Sequence, residues 1–180
     1  GEPGSIDGFA EDYAFLIQGL LDLYESTWDA DWLKWALELQ DRQNALFWDE
    51  ARGGYFSSAA GDPLVPLRLK EDYDGAEPSA NSISALNLLR FARMLHDEAF
   101  ETRARQILAA SRQALDRVPT AVPQMLVALD LALSPPAQAV VAGTRETKDV
   151  QIWNARLHEE FQPRRALLLA DGNRFLAEKV

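Results

Sequence analysis

The sequence contains no cysteine and only two histidines, His96 and His158. Without cysteine the chain cannot form a disulfide, a thiol nucleophile or a cysteine-based zinc site. Two histidines far apart in the sequence do not supply the ligands of a histidine zinc site either. We therefore predict no metal and no cofactor for this chain.

Long apolar runs and an excess of basic residues are also absent. No apolar run reaches the roughly 20 residues that a membrane span needs. Lys and Arg number 18 against 28 Asp and Glu, which gives a net charge of −10. Nucleic acids and anionic membranes attract basic surfaces, so neither is a predicted partner. No signal peptide opens the chain, and with the lack of cysteine this predicts a cytoplasmic location.

The residues that are present predict a mainly α-helical fold. The chain has 180 residues and is 47% hydrophobic, which is enough for one domain with a small appendage. Apolar periodicity predicts helices over residues 11–26, 31–47, 78–95, 98–118 and 122–133. Nearly all-apolar helices alternate with amphipathic ones, a pattern typical of stacked αα-hairpins in an α/α toroid or solenoid. We assign residues 7–134 to this helical part.

Two further regions interrupt the helical pattern. Residues 48–77 form a long connection, in which 55–56 and 64–69 could pair as a short β-ribbon. After the Pro135-Pro136 pair, residues 135–180 predict a strand, a helix and a second strand, a βαβ appendage with parallel strands. Two strands alone are marginally stable, so this unit must lean on the helices or on further chain. The sequence stops within a predicted helix, which indicates a fragment, and we expect the inner helix faces that a partial toroid exposes to make it self-associate or become unstable.

The most distinctive stretch is the acidic loop that leads into the third predicted helix. Four carboxylates lie between Glu71 and Glu77, and Pro78 follows at a position that suits the first turn of a helix. On that helix Glu77, Asn81 and Ser84 would share one face, because they are spaced i, i+4 and i+7.

This loop has three interpretations. The acids could cap helices and complete a turn, since Asp74-Gly75 is a common turn pair. They could instead form a cleft in which two carboxyl groups act as general acid and base, as in glycoside hydrolysis, or bind sugar hydroxyls. Metal binding is the third interpretation, but the calcium-loop spacing fails, because the twelfth position from Asp72 is Ile83 and not Glu.

The first predicted helix begins with a similar acidic pattern. Asp12 and Tyr13 would face the acidic loop if the first and third helices line one cleft, although Asp12 could simply cap its own helix. Trp48 lies in the long connection and is the tryptophan that best suits a sugar ring. The candidate catalytic residues are therefore Glu77, Asp72 and Asp12, and the candidate substrate-binding residues are Asn81, Asp74, Tyr13, Trp48 and Ser84.

Several of these segments together resemble a known family. Residues 12–15, 19–25, 46–49, 53–56 and above all 69–90 are similar to the thioredoxin-domain-containing family that includes spermatogenesis-associated protein 20. The resemblance implies an N-terminal thioredoxin-like domain followed by an (α/α)6 toroid similar to N-acylglucosamine 2-epimerases and six-hairpin glycosidases. This chain would cover the later part of the toroid, with its cleft at the N-termini of the inner helices.

Two functions follow as hypotheses. The first is a carbohydrate-active or carbohydrate-binding cleft, glycosidase- or epimerase-like if it is an enzyme, with a small sugar as ligand. Epimerases of the related group use histidines, and neither His96 nor His158 falls in the predicted cleft. The alternative is a non-catalytic scaffold or interaction module for the thioredoxin-like domain of the full-length protein.

Overall fold

The computed structural model describes residues 8–61, 65 and 67–179 and is mainly α-helical, as the sequence predicts. The elements in chain order are α1 (Ala10–Thr27), α2 (Ala30–Phe47), α3 (Ala80–Leu95), α4 (Glu98–Ala110), α5 (Arg112–Arg117), a 3-10 turn (Pro119–Ala121), α6 (Pro123–Leu133), β1 (Ala137–Ala142), α7 (Lys148–His158), β2 (Arg165–Ala170) and α8 (Arg174–Lys179).

Helix α3 is at the centre of the helical layer and contacts α1, α4 and α6. It is buried along most of its length, including the small polar residues Ser82 and Ser84. Near its C-terminus Phe91 stacks on Phe100 of α4 at a ring-centroid distance of 5.1 Å. A fully buried aromatic side chain of this kind stabilises a fold by several kcal/mol, so α3 contributes a large share of the core.

The first two helices, α1 and α2, form a hairpin with a very short connection. Helix α1 ends at Trp28, which is left-handed with φ 54° and whose N–H donates to Tyr24 O at 2.6 Å. The next residue, Asp29, caps α2 by accepting the Asp31 N–H at 3.1 Å. This connection folds α2 back against α1 and confirms the predicted αα-hairpin.

Two predicted helix boundaries are wrong. The helix predicted over residues 98–118 breaks at Ser111, whose φ of −86° and ψ of 1° end α4 before α5 begins. The third helix starts at Ala80 and not at Pro78, because Ser79 is its cap and its Oγ accepts the Ser82 N–H at 3.2 Å. Glu77 consequently precedes the helix, and the predicted shared helical face loses its first member.

The predicted βαβ unit is present. Strands β1 and β2 are parallel, with Val140 opposite Leu168, and α7 connects them. Buried residues of β2 belong to the same hydrophobic cluster as residues of α1, α2 and α3.

The predicted β-ribbon in the long connection is replaced, within the described residues, by sparser contacts. Trp48 and Tyr55 form one antiparallel bridge, and the Ser57 N–H donates to Leu69 O at 2.8 Å. Residues 62–64 and 66 lie outside the described residues, so the ribbon strand predicted over 64–69 is only partly covered. No helix in the described part of the chain is both long enough and apolar enough to cross a membrane.

Candidate functional site

A cleft of about 470 Å³ opens at the N-terminal end of α3. One wall is the connection before α3, and the opposite wall is the end of α4 with α5 and the turn that follows. Two of the predicted site residues, Asp72 and Asn81, line it. The full lining comprises Gly53, Gly54, Lys70, Glu71, Asp72, Tyr73, Asn81, Ile107, Ala110, Ser111, Gln113, Ala114, Arg117, Val118 and Ala121.

Asn81 fixes the floor of the cleft. Its Oδ1 accepts the Tyr55 N–H at 2.7 Å, and its Nδ2 donates to Tyr55 O at 2.9 Å. The contact needs glycine at position 54, where φ is +82° and an added Cβ would lie 3.0 Å from the Asn81 Oδ1. Asn81 is buried, and its amide is committed to this backbone contact.

Asp74 joins the starts of two helices. Its Oδ1 accepts the Ser79 N–H at 2.9 Å, and its Oδ2 accepts the N–H groups of Gln124 and Met125 at 2.8 and 3.3 Å. Helix α6 follows Val122, which has no side chain able to cap it, so Asp74 supplies the missing acceptor from a distant part of the sequence. Both carboxylate oxygens of this predicted sugar contact are thus occupied by backbone groups.

Asp72 and Glu77 differ from Asp74 in exposure. Both are exposed, and within the described residues neither side chain has a hydrogen bond or ion pair. Asp72 lines the cleft, whereas Glu77 does not. Of the three predicted catalytic acids, Asp72 is therefore the one that the cleft presents.

The remaining predicted site residues make contacts elsewhere. The Asp12 Oδ2 accepts the Phe9 N–H at 2.7 Å and so holds the residue that precedes α1. Ser84 accepts a hydrogen bond from the buried Gln43 at 3.0 Å. Tyr13 packs edge-on against Phe47, and Trp48 packs edge-on against Tyr55 at 5.0 Å. None of these four side chains lines the cleft.

Lys70 is a member of the cleft that the sequence did not single out. Its Nζ lies 2.7 Å from Asp49 Oδ2 and donates to Gly53 O at 2.5 Å. Hydrogen bonding by Lys70 lowers the pKa of the Asp49 carboxyl below its ordinary value. The signal in the sequence that could have found Lys70 is the turn from Asp49 to Gly54. The Asp49 carboxylate and the Gly53 carbonyl both accept hydrogen bonds, and one cation can satisfy both.

Three carboxylates, those of Asp12, Glu71 and Glu77, act electrostatically on Glu11 at the start of α1. Burial raises the pKa of the Glu11 carboxyl above its ordinary value of 4.5, and neighbouring carboxylates raise it further, in the order Glu71, Asp12 and Glu77. Glu71 and Glu77 of the acidic loop thus act electrostatically on the start of α1, but no residue of α1 lines the cleft. Among the described residues no three His, Asp or Glu side chains converge in a way that could hold a metal ion.

We expect an NMR titration to place the pKa of Glu11 above 4.5 in the wild type. Replacing Glu71 by Gln should lower it more than replacing Glu77 by Gln, because Glu71 exerts the larger repulsion. A raised pKa in the folded state stabilises the fold at pH values below the ordinary pKa, and that stability is lost as the pH rises through the raised value. Glu50→Gln, an exposed acid that does not act on Glu11, is the control, and an equal shift there would contradict the assignment.

Comparison with known proteins finds relatives that match most of this chain. No family model matches it. It is 47% identical over 167 residues to human spermatogenesis-associated protein 20 and 46% identical over 168 residues to the rat protein, in each case over 92% of this chain. The chain is homologous to a segment of spermatogenesis-associated protein 20. An uncharacterized protein of Caenorhabditis elegans is 39% identical over 156 residues, or 87% of this chain.

The chain spans about a fifth of the length of these relatives, 21% of each. The family resemblance seen in the sequence is therefore confirmed for this segment. The name spermatogenesis-associated protein 20 states neither a ligand nor a reaction.

Proposed function

We propose that the cleft at the start of α3 binds a neutral, polyhydroxylated small molecule such as a sugar. One observation carries the proposal. Asp72, Gln113 and Arg117 line the cleft, and within the described residues none of the three side chains has a hydrogen bond or ion pair. A carboxylate, an amide and a guanidinium thus face one volume with their hydrogen-bonding capacity unused.

This combination suits hydroxyl groups. A hydroxyl both donates and accepts, a carboxylate only accepts, a guanidinium only donates, and an amide does both. Together they can satisfy several hydroxyls on one ligand. The cleft lining as a whole has two cations, Lys70 and Arg117, and two carboxylates, Glu71 and Asp72, so it offers no net advantage to a charged ligand. Tyr73 also lines the cleft and is 62% exposed, which places an aromatic ring where the apolar face of a sugar could pack.

The side chains that line the cleft support ligand binding more strongly than catalysis. Hydrolysis with two carboxyl groups needs a pair that flanks the bond to be broken. Asp74 has both oxygens occupied and Asp12 caps α1, so neither is available as a partner for Asp72. A glycosidase- or epimerase-like reaction would require Glu71, which also lines the cleft, Glu77 or a residue of a longer protein to supply the second acid.

We expect saturation-transfer NMR with a panel of neutral mono- and disaccharides to detect binding to this chain. Asp72→Ala should weaken the affinity about tenfold or more, because a hydrogen bond to a charged group contributes roughly 1.5–3 kcal/mol. Glu77→Ala is the matched control, since it removes the same charge from the same loop outside the cleft, and it should leave the affinity unchanged. Equal loss in both variants would contradict the proposal.

A second candidate is a non-catalytic module that supports the thioredoxin-like domain implied by the family resemblance. The observation that favours it is that Asp74, Asn81 and Ser84 all hold parts of the fold together. The adjacency of α1, α3 and α6 also supports the proposal that the segment is part of an α/α toroid. If the folded chain binds no saccharide in the NMR experiment, this second function becomes the better proposal.

A further inference from the structure

Tyr73 is the only aromatic residue among the described residues that line the cleft at the start of α3. It is 62% exposed. Within the described part of the chain its hydroxyl has no hydrogen-bond partner, and its ring has no aromatic or cationic neighbour. The ring is thus neither part of the core nor held by its hydroxyl, and it is free to contact a ligand.

The loop around Tyr73 nevertheless fixes the place of the ring. Asp74 is held by its N–H, which donates to Ala121 O at 2.8 Å, and by its buried carboxylate. The Gly75 N–H donates to Glu77 O at 3.0 Å and closes the turn. The ring of Tyr73 lies against Gly75, since a Cβ added at position 75 would be 3.0 Å from the Tyr73 Cε1 atom. An aromatic ring on a fixed loop loses little conformational freedom when a ligand binds.

The hydrogen-bonding groups of α5 lie across the cleft from this loop. Gln113 and Arg117 are on α5, whereas Tyr73 is on the connection before α3. A ligand between the two walls therefore has the aromatic ring on one side and an amide and a guanidinium on the other. The face of an aromatic ring carries partial negative charge, so it attracts C–H groups and does not replace the water bound to a hydroxyl. A sugar in this position turns C–H groups to Tyr73 and hydroxyls to α5.

We infer that the cleft selects pyranosides with an uninterrupted C–H face, with Tyr73 as the selecting residue and Gly75 as the residue that positions it. This inference rests on the proposed binding of sugars. A β-glucoside has such a face, because three axial hydrogens point to the same side of its ring. A β-alloside differs only by inversion at the third carbon, which places a hydroxyl among those hydrogens. Turned toward Tyr73, that hydroxyl loses its hydrogen bonds to water without gaining a partner.

The affinities of the two methyl glycosides, measured by chemical-shift titration of the chain, test this selection. We expect the β-glucoside to bind about tenfold more tightly than the β-alloside, because a hydroxyl buried without a partner lowers affinity by about this factor or more. Tyr73→Ala should bring the ratio of the two affinities close to one. Tyr73→Phe should keep the ratio, since the ring and not the hydroxyl makes the contact. The ratio does not depend on the fraction of folded chain, because that fraction lowers both affinities equally.

Gly75→Ala tests the positioning of the ring. Gly75 does not have a left-handed φ, so its backbone accepts alanine, but the added methyl group displaces the Tyr73 ring. We expect the affinity ratio to fall toward one, although no group that contacts the ligand is removed. Gly19→Ala is the matched control, because its added Cβ meets no atom within 4 Å, and it should leave the ratio unchanged. An equal fall in both glycine variants would contradict the role of Gly75.

The outcomes distinguish failure of this selection from failure of the proposed function. Equal affinity of the wild-type chain for both glycosides, a ratio lost in Tyr73→Phe, or a ratio that survives in Tyr73→Ala would overturn the selection by Tyr73 and leave sugar binding in place. Binding of other saccharides but of neither glycoside would do the same. A chain that binds no saccharide at all would overturn both. Should Tyr73→Ala fail to fold, Gly75→Ala against Gly19→Ala gives the deciding comparison.

Discussion

Replacing Asp74 by alanine is expected to lower the free energy of unfolding by roughly 3 kcal/mol. The buried carboxylate accepts three backbone N–H groups, one at the start of α3 and two at the start of α6. Alanine leaves these donors without their acceptor, and hydrogen bonds to a charged group are among the stronger ones in proteins. Urea unfolding followed by circular dichroism would report the loss as a lower midpoint at an unchanged slope.

Two further variants sharpen this experiment. Asp74→Asn keeps one carbonyl oxygen and should lose less than Asp74→Ala. Glu77→Ala removes an exposed acid three residues away and should change the stability by no more than about 0.5 kcal/mol. If Glu77→Ala were as destabilising as Asp74→Ala, the proposed role of Asp74 as a link between two helices would be refuted.

Replacing Glu25 by alanine is expected to cost roughly 2–3 kcal/mol. Glu25 connects three elements, because it lies on α1, pairs with Arg90 of α3 and accepts the Leu167 N–H of β2. Its side chain is 17% exposed, so the contacts that it loses are poorly replaced by water. The same urea experiment measures the loss.

Asp22 provides a matched control for Glu25. It also lies 2.7 Å from Arg90, but its side chain is 63% exposed. Exposed ion pairs contribute about 0–1 kcal/mol, so Asp22→Ala should have a small effect. A larger loss for Asp22→Ala than for Glu25→Ala would show that the link to β2 does not stabilise the sheet.

Much of the fold could be predicted because it is encoded by local patterns. The apolar spacing in α1 and α2 and the uniform strand runs of β1 and β2 each point to one structure. The start of α3 could not be placed from the sequence, since Pro78 and Ser79 both suit a helix start and only the contacts of Ser79 decide between them. The break at Ser111 was missed because residues 98–118 keep a helical pattern through it.

The candidate site shows a different limit of prediction from the sequence. The sequence identified the acidic loop, and Asp72 and Asn81 do meet at one cleft. It could not show that Asp74 reaches α6, because that contact spans 50 positions in the chain. Gln113 and Arg117 were missed for the same reason, since nothing near them in sequence resembles the loop that they face.

The break at Ser111 also bears on how the cleft could adapt to a ligand. Gln113, Ala114 and Arg117 belong to α5, a six-residue helix that contributes no fully buried side chain. The opposite wall is anchored by Asn81 and by the ion pair of Lys70 with Asp49. Ala114 and Leu115 of α5 pack against the core but are only partly buried. A short helix without a fully buried side chain is expected to open at a lower free energy than the core, so we expect α5 to be the more mobile wall of the cleft. Movement of α5 would then let the proposed binding cleft adapt to small molecules of different size without a change in the core around α3.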